Sequence, residues 1–433
     1  MIKIKQFFFS FQQSFSLLFL FKWIFICLLV GALTGSASAI FLWTLEWATT
    51  YRETNIWIVW LLPIAGLIIG LSYHYFGKSV VKGNNMLLEE YHSPKKVIPL
   101  KMAPLVFLGT ILTHLFGGSA GREGTAVQIG GAIADQFTKL FKLSNLDRKI
   151  LLIAGISAGF SSVFGTPLAG AIFALEVMVI GRVKFNAILP SFLAAVFANY
   201  FCDFWQISHH THYTISTVAE LTPVTVLWAL LAGIIFGLTS MLFSKSTHFW
   251  GKTFKKLIKY PPLRPVIGGV ILAITWYFIG TTKYMGLGVP TIVDAFDINL
   301  NSYDFILKLL FTSFTLGAGF KGGEVTPLFF IGATLGNVLI WFIPLPMPLL
   351  AGMGFVAVFA GATNTPIACT IMGIELFGIE SGVFIALACT SAYLFSGHSG
   401  IYSAQIIGSS KHLFHKKEEG LTLTDADNLR NKN

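Results

Sequence analysis

Apolar runs recur along the whole chain, near 17–45, 56–76, 99–116, 150–180, 187–202, 223–243, 265–280, 305–319, 326–343, 348–362 and 366–395. A simple bilayer-crossing bundle uses clean runs of about 20 apolar residues. Here many runs are shorter, or are broken by Gly and Pro. Interrupted helices at membrane depth are tolerated only where their backbone is buried in protein or lines a cavity. The pattern therefore predicts an all-α polytopic membrane protein with broken helices inside it. Composition agrees: 54% of the 433 residues are hydrophobic and only 12% are charged, against about 25% charged in soluble domains.

The net charge of +10 does not point to nucleic acid, because the basic residues fall in short groups between apolar runs. Lys95–Lys96, Arg148–Lys149 and Lys252, Lys255, Lys256 and Lys259 read as cytoplasmic flanks of membrane spans. The four cysteines show no metal-like spacing and read as small buried hydrophobes. "SHHTHY" in the 203–222 link could combine His209, His210 and His212 with Asp203 around a metal, but reads as a polar extramembrane loop. No metal and no cofactor is expected. The N-terminus imitates a secretory signal, yet Lys22 interrupts the apolar run and hydrophobic sequence follows "GSASA" directly. A retained first helix is expected, with Gly31, Gly35 and Ala39 as a small-residue packing stripe.

The two halves repeat. Gly121-Arg-Glu123-Gly-Thr125 and Gly322-Gly-Glu324-Val-Thr326 are each followed, eight residues after the Glu, by Gly-Ala. Further on, "TPLAGAIFALE" (166–176) matches "TPIACTIMGIE" (365–375). Glu123 to Pro167 spans 44 residues and Glu324 to Pro366 spans 42. These motifs indicate duplication, but do not say whether the copies are parallel or inverted. The expected organisation is one transmembrane transport domain over 1–410, with halves at about 17–202 and 223–405, followed by a short charged cytoplasmic tail over 411–433.

Each Gly-x-Glu-x-Thr precedes an apolar run that reads as a helix. The first amides of a helix lack internal partners and carry partial positive charge, so two such ends would form an anion site. Glu123 has a specific use there. Ionised, it occupies the anion's place; protonated, it leaves, so proton and anion compete through one side chain. The opposing reading pairs Glu123 with Arg122 as a buried structural ion pair. Lys321 reads as a cation flanking a helix start, and Glu176 and Glu375 as buried structural contacts. An intramembrane enzyme using Glu123 and His114 lacks a metal motif or activated nucleophile, so no enzyme is expected.

"GREGT" (121–125), "GGEVTP" (322–327) and "IYSAQ" (401–405), with "KGNNMLLEE" (82–90) in the place of a fourth signature, resemble the CLC family of chloride channels and proton-coupled anion antiporters. The resemblance implies a homodimer whose subunits each hold a pore built from two inverted halves, with many broken, tilted helices. Chloride-handling members usually carry Gly-Ser-Gly-Ile-Pro, where this chain has Gly83-Asn84-Asn85-Met86-Leu87. Thr125 replaces a usual proline, and Glu324, Val325 and Thr326 stand in a usual Gly-x-Phe-x-Pro. Val177 occupies the position of a second, inward-facing glutamate. These departures resemble the fluoride-exporting bacterial branch.

That resemblance implies a multi-pass inner-membrane protein exchanging fluoride for protons, with chloride as a weak competitor. Glu123 and Glu324 would gate and carry protons. Gly121, Arg122, Gly124, Thr125, Asn84, Asn85, Val325, Thr326 and Tyr402 would surround the anion. Asn84, Asn85 and Thr326 supply side-chain donors, and the helix-end amides supply the rest. The alternative on the same fold is a chloride/proton antiporter or chloride channel.

Overall fold

The computed structural model describes residues 12–207 and 213–430. Seventeen α-helices are present among them, with one pair of two-residue parallel strands, β1 (Val179–Ile180) and β2 (Ile406–Ile407). The histidine-rich stretch with His209, His210 and His212 lies outside the described residues. The first half contains α1 (Gln12–Thr54), α2 (Leu62–Tyr75), α3 (Asn84–His92), α4 (Met102–Leu115), α5 (Glu123–Leu140), α6 (Asn145–Phe164), α7 (Pro167–Glu176) and α8 (Ile188–Phe204). The second contains α9 (Pro223–Leu257), α10 (Leu263–Ile279), α11 (Val289–Asp297), α12 (Asp304–Ala318), α13 (Val325–Leu339), α14 (Met347–Thr363), α15 (Pro366–Phe377) and α16 (Gly382–Phe395). A last helix, α17 (Leu423–Arg430), lies near the C-terminus.

Four helical segments are long and apolar enough to cross a membrane: Ser16–Thr54, Ile56–Tyr75, Phe185–Phe204 and Pro223–Leu257. Most of the others are short because the chain turns within its apolar runs. The 150–180 run divides at Gly165, and Thr166-Pro167 then starts α7. Its counterpart divides at Asn364, before Thr365-Pro366 and α15. Both cap residues are left-handed, with φ of 71° and 61°. Gly and Asn are the residues that adopt this conformation most readily at a helix end.

Carboxylates tie the two halves reciprocally. Glu176, at the end of α7, accepts from Ile367 N and Ala368 N at the start of α15 (3.2 and 2.8 Å). Glu375, near the end of α15, accepts from Leu168 N and Ala169 N at the start of α7 (3.0 and 2.7 Å). Each helix start thereby receives an acid from the other half. The end of each short helix therefore lies at the start of the other, which sets the pair antiparallel.

At the first motif the duplication has a different register from the one its glutamates suggest. Gly121 and Gly323 exchange two backbone hydrogen bonds of 2.6 Å as an isolated antiparallel bridge. Arg122 and Glu324 follow as the residues before the helices, and Glu123 and Val325 are the first helical residues. Glu123 and Glu324 therefore do not occupy equivalent positions. Helix packing keeps the shifted register: a Cβ on Gly130 would lie 2.3 Å from Gly155 O, and one on Gly332 would lie 2.0 Å from Gly354 O. Gly130 is thus the counterpart of Gly332, not Gly131.

The expected stripe on α1 meets α8. A Cβ on Gly31 would approach Phe197 Cβ to 2.5 Å, and one on Gly35 would approach Ala198 O to 2.3 Å. Between the halves, Phe160 stacks on Phe173 (4.4 Å between centroids) and Phe329 on Phe355 (3.9 Å), with Phe359 bridging them. All four cysteines are buried and free.

Residues 411–430 pack against β1, β2 and the stretch between α16 and β2. Leu423 and Ala426 pack with Ile180 and Ile407. Leu423 N donates to Gln405 O, Thr424 N to Ser403 O, and Ile407 N to Leu421 O.

Arg148 is the densest polar anchor. It makes two bonds to Asp135 (2.8 and 2.7 Å), bonds to Glu90 at 3.1 Å, and donates to Lys96 O at 2.7 Å. Asp135 also accepts from Ile98 N, so one buried pair joins α5, α6 and the segment after α3. Asp135→Ala leaves the guanidinium without its main partner. It is expected to cost about 3–5 kcal/mol, read as a large drop in the thermal midpoint of the purified protein in detergent.

Candidate anion site between the paired helix ends

The first residue of α5, Glu123, is fully buried. Its side chain reaches across to the start of α13. Oε2 accepts from Thr326 N at 3.1 Å and from Arg122 N at 3.1 Å. Thr326 Oγ1 donates to Oε1. The carboxyl group thus occupies a helix start of the opposite half, where amide, hydroxyl and dipole all favour negative charge. Arg122 Nε lies 3.5 Å from Oε1 without a hydrogen bond. The ion pair with Arg122 is therefore the looser of the two engagements.

Glycine makes this approach possible. A Cβ on Gly323 would meet Gly124 N at 2.7 Å and Glu123 N at 3.3 Å, and one on Gly124 would meet Gly323 Cα at 3.0 Å. Val325 is buried at the start of α13. Thr125 directs its hydroxyl to Thr110 Oγ1 at 2.7 Å, tying α5 to α4.

Beside the paired ends lies a cavity of about 260 Å³, lined by Asn84, Asn85, Gln128, Glu324 and Tyr402, among others. Gly83, with φ of +55°, turns the chain into α3 so that Asn84 is its first residue. Asn84 Oδ1 is buried without a hydrogen-bond partner, and Nδ2 lies 3.1 Å from where a Cβ on Gly124 would stand. Asn85 accepts from Ala404 N at 2.9 Å through its Oδ1, which anchors the Tyr402 segment. Among the described residues no hydrogen bond or ion pair engages the Glu324 carboxyl, which faces the cavity. Tyr402, 5% exposed, lines the same space.

Two residues at the cavity were not singled out as anion ligands by the sequence. Gln128 donates from Nε2 to Gly124 O at 3.1 Å. Its signal was a polar side chain within the apolar stretch that follows "GREGT". Lys321, read only as a helix flank, also lines the cavity. His114 is fully buried, with neither ring nitrogen hydrogen-bonded.

One metal-like group occurs among the described residues, away from this site. His398, His415 and Glu418 bring ligand-type atoms within 4.8 Å of one another. His398 Nε2 accepts from Lys411 N at 3.1 Å, and Nδ1 meets Glu418 Oε2 at 2.6 Å. A ring accepting through Nε2 carries its proton on Nδ1 and has no lone pair there for a metal. Burial also holds the His398 pKa below its ordinary value. The arrangement fits a clasp for the C-terminal segment better than a metal centre.

A profile of the voltage gated chloride channel family matches residues 65–397. The chain belongs to this family. It is 53% identical over 397 residues to a "chloride/fluoride channel protein" of Pseudomonas syringae pv. tomato, covering 90% of this chain and 88% of that one. It is 28% identical over 418 residues to an "H(+)/Cl(-) exchange transporter" of Cronobacter sakazakii, covering 87% of each. A crystal structure of a "CLC-type fluoride/proton antiporter" superposes with a TM-score of 0.86 at 35% identity, covering 89% of this chain and 98% of that one. The family is one of channels and transporters.

Because the seat depends on two glycine loops in contact, Gly323→Ala is expected to cut anion flux in liposomes by roughly tenfold or more. The protein should remain monodisperse in detergent; unchanged flux would show that the loops have room to separate.

Proposed function

We propose that the protein is a fluoride/proton antiporter of the bacterial inner membrane that exports fluoride and admits chloride only as a weak competitor. It acts as a homodimer in the lipid bilayer, each subunit with its own pore. The observation that carries this reading is the Glu123 carboxylate seated on Thr326, an acid in a place chemically suited to a small anion. The fluoride-named relatives support the choice of anion.

Protonation of Glu123 removes the charge that holds it on Thr326 N. The carboxyl then leaves, and the Thr326 N–H and O–H turn to fluoride. Loss of that proton restores the carboxylate, which displaces the anion. One carboxyl oxygen thus takes up and gives back a proton for each exchange of occupants.

Fluoride is small and tightly hydrated, so a selective site must replace water with short hydrogen bonds. Asn84 offers N–H donors at Nδ2, and Tyr402 offers a hydroxyl toward the cavity. Neutral Glu324 donates a hydrogen bond, whereas its ionised form repels the anion. This lets Glu324 carry protons between the cavity and Glu123 in place of the glutamate that Val177 replaces. The backbone at Gly121, Gly124 and Val325 shapes the seat, and Arg122 supplies a nearby positive charge. The charged C-terminal segment faces the cytoplasm, on the side marked by the basic groups.

The channel named in the Pseudomonas syringae relative makes a passive pore the competing reading. Reconstituted protein in liposomes loaded with equal fluoride and chloride separates them. An exchanger releases fluoride far faster than chloride and moves protons inward against their gradient; a channel moves no protons uphill, and chloride-favouring efflux overturns the fluoride assignment. Glu123→Gln is expected to abolish fluoride-driven proton movement, and coupled exchange surviving in that variant would remove Glu123 from its role. Asn84→Ser is expected to narrow the preference for fluoride over chloride by about tenfold, the worth of one hydrogen bond to a charged group.

A further inference from the structure

The 260 Å³ cavity borders a larger one of about 800 Å³, and the two share Tyr73, Lys82, Asn85, His248 and Lys321 among their lining residues. Lys78, Lys82, Lys255, Arg264 and Lys321 line this vestibule, and the one acid among its lining residues is Glu89. Glu89 is already spent on Lys82, with N–O distances of 2.9 and 2.7 Å. A cleft lined by one sign of charge concentrates the opposite ion and raises its rate of capture.

Lys82 and Lys321 each line both cavities; Lys82 is held by Glu89, and no such carboxylate among the described residues holds Lys321. Its backbone N donates to Thr113 Oγ1 at 3.3 Å, and its stem fills the space left by Gly109, where a Cβ would meet Lys321 Cβ at 2.9 Å. Its Nζ stands 4.2 Å from the centre of the Tyr73 ring, a cation–π contact. Among the described residues no carboxylate forms an ion pair with it. Glu324 is the remaining acid lining the inner cavity, and Lys82 and His248 also face that space. An ionised side chain at membrane depth without a fixed partner is costly to hold, so its counter-charge has to come from a mobile ion.

We infer that Lys321 is the anion-recruiting residue of the inner mouth, and that the arriving anion supplies the counter-charge its ammonium lacks. The inference rests on the transport reading above and adds to it a step before the anion reaches the Asn84 cavity. Held between vestibule and cavity, the ammonium attracts a still-hydrated anion that the paired helix ends then strip of water. Attraction of this kind acts on capture and leaves the exchange at Glu123 untouched. Its effect therefore falls on the apparent KM for anion on the vestibule side, not on the limiting rate.

The test compares full-length wild type, Lys321→Met and Lys321→Arg in liposomes. Initial fluoride efflux is measured against internal fluoride, at low and at high concentrations of impermeant potassium gluconate. Lys321→Met is expected to raise the apparent KM about tenfold, keep the limiting rate and the fluoride-to-proton ratio, and flatten the dependence on gluconate. Lys321→Arg is expected to restore both the KM and the salt dependence. An unchanged KM in Lys321→Met overturns the inference. So does an Arg variant as impaired as the Met variant, which would assign the side chain to packing against Tyr73 and Gly109. Should the wild type carry chloride instead of fluoride, the fluoride assignment fails, and the same KM comparison made with chloride still decides the role of Lys321.

Discussion

Two backbone hydrogen bonds between Gly121 and Gly323 bring the starts of α5 and α13 together, and the candidate site depends on that pair. Helix starts carry unpaired amides that repel one another electrostatically when brought into contact. Here an acid intervenes. Glu123 leaves its own helix and settles on the amide and hydroxyl of Thr326. Removing the glycines would separate the helices, while removing the carboxylate leaves a positively polarised gap of the kind an anion fills.

The surrounding frame keeps this gap narrow by spending its polar groups elsewhere. Glu176 and Glu375 satisfy the starts of α15 and α7. Thr125 goes to Thr110, and Asn85 to the backbone beside Tyr402. Polar side chains left facing the inner cavity include Asn84, Gln128, Glu324, Tyr402 and Lys321. The C-terminal segment adds hydrogen bonds to residues 403, 405 and 407, and so bears directly on the stretch that presents Tyr402.

Much of this was legible in the sequence, and the parts that were not have physical reasons. Broken apolar runs and paired Thr-Pro motifs announced the interrupted helices, because Pro at a helix start and a left-handed cap before it are local features. The duplication was also visible, but its register at the first motif was not. Sequence similarity aligned Glu123 with Glu324, whereas backbone pairing aligns Gly121 with Gly323 and leaves the glutamates one residue apart. A one-residue difference at a helix start decides whether a side chain belongs to the first turn or precedes it. Side-chain partners were the least legible, since only the fold reveals that the Thr125 hydroxyl meets Thr110 and that Asn85 Oδ1 accepts from Ala404 N. Lys321 reads as a flanking cation in the sequence, and only the fold shows that it lines two cavities.

The reciprocal carboxylates bear on how such a protein could be assembled from smaller parts. Glu176 serves the helix that carries Glu375, and Glu375 serves the helix that carries Glu176. Two identical copies of one half would satisfy each other by the same exchange, because a two-fold contact presents the same patch from both sides. The shifted glutamates are what such a symmetric pair would lack. In identical copies each helix start would meet its own replica, so neither could act as lever while the other acted as seat. Fusion into one chain allows the two starts to diverge, and lets a symmetric scaffold hold an asymmetric lock.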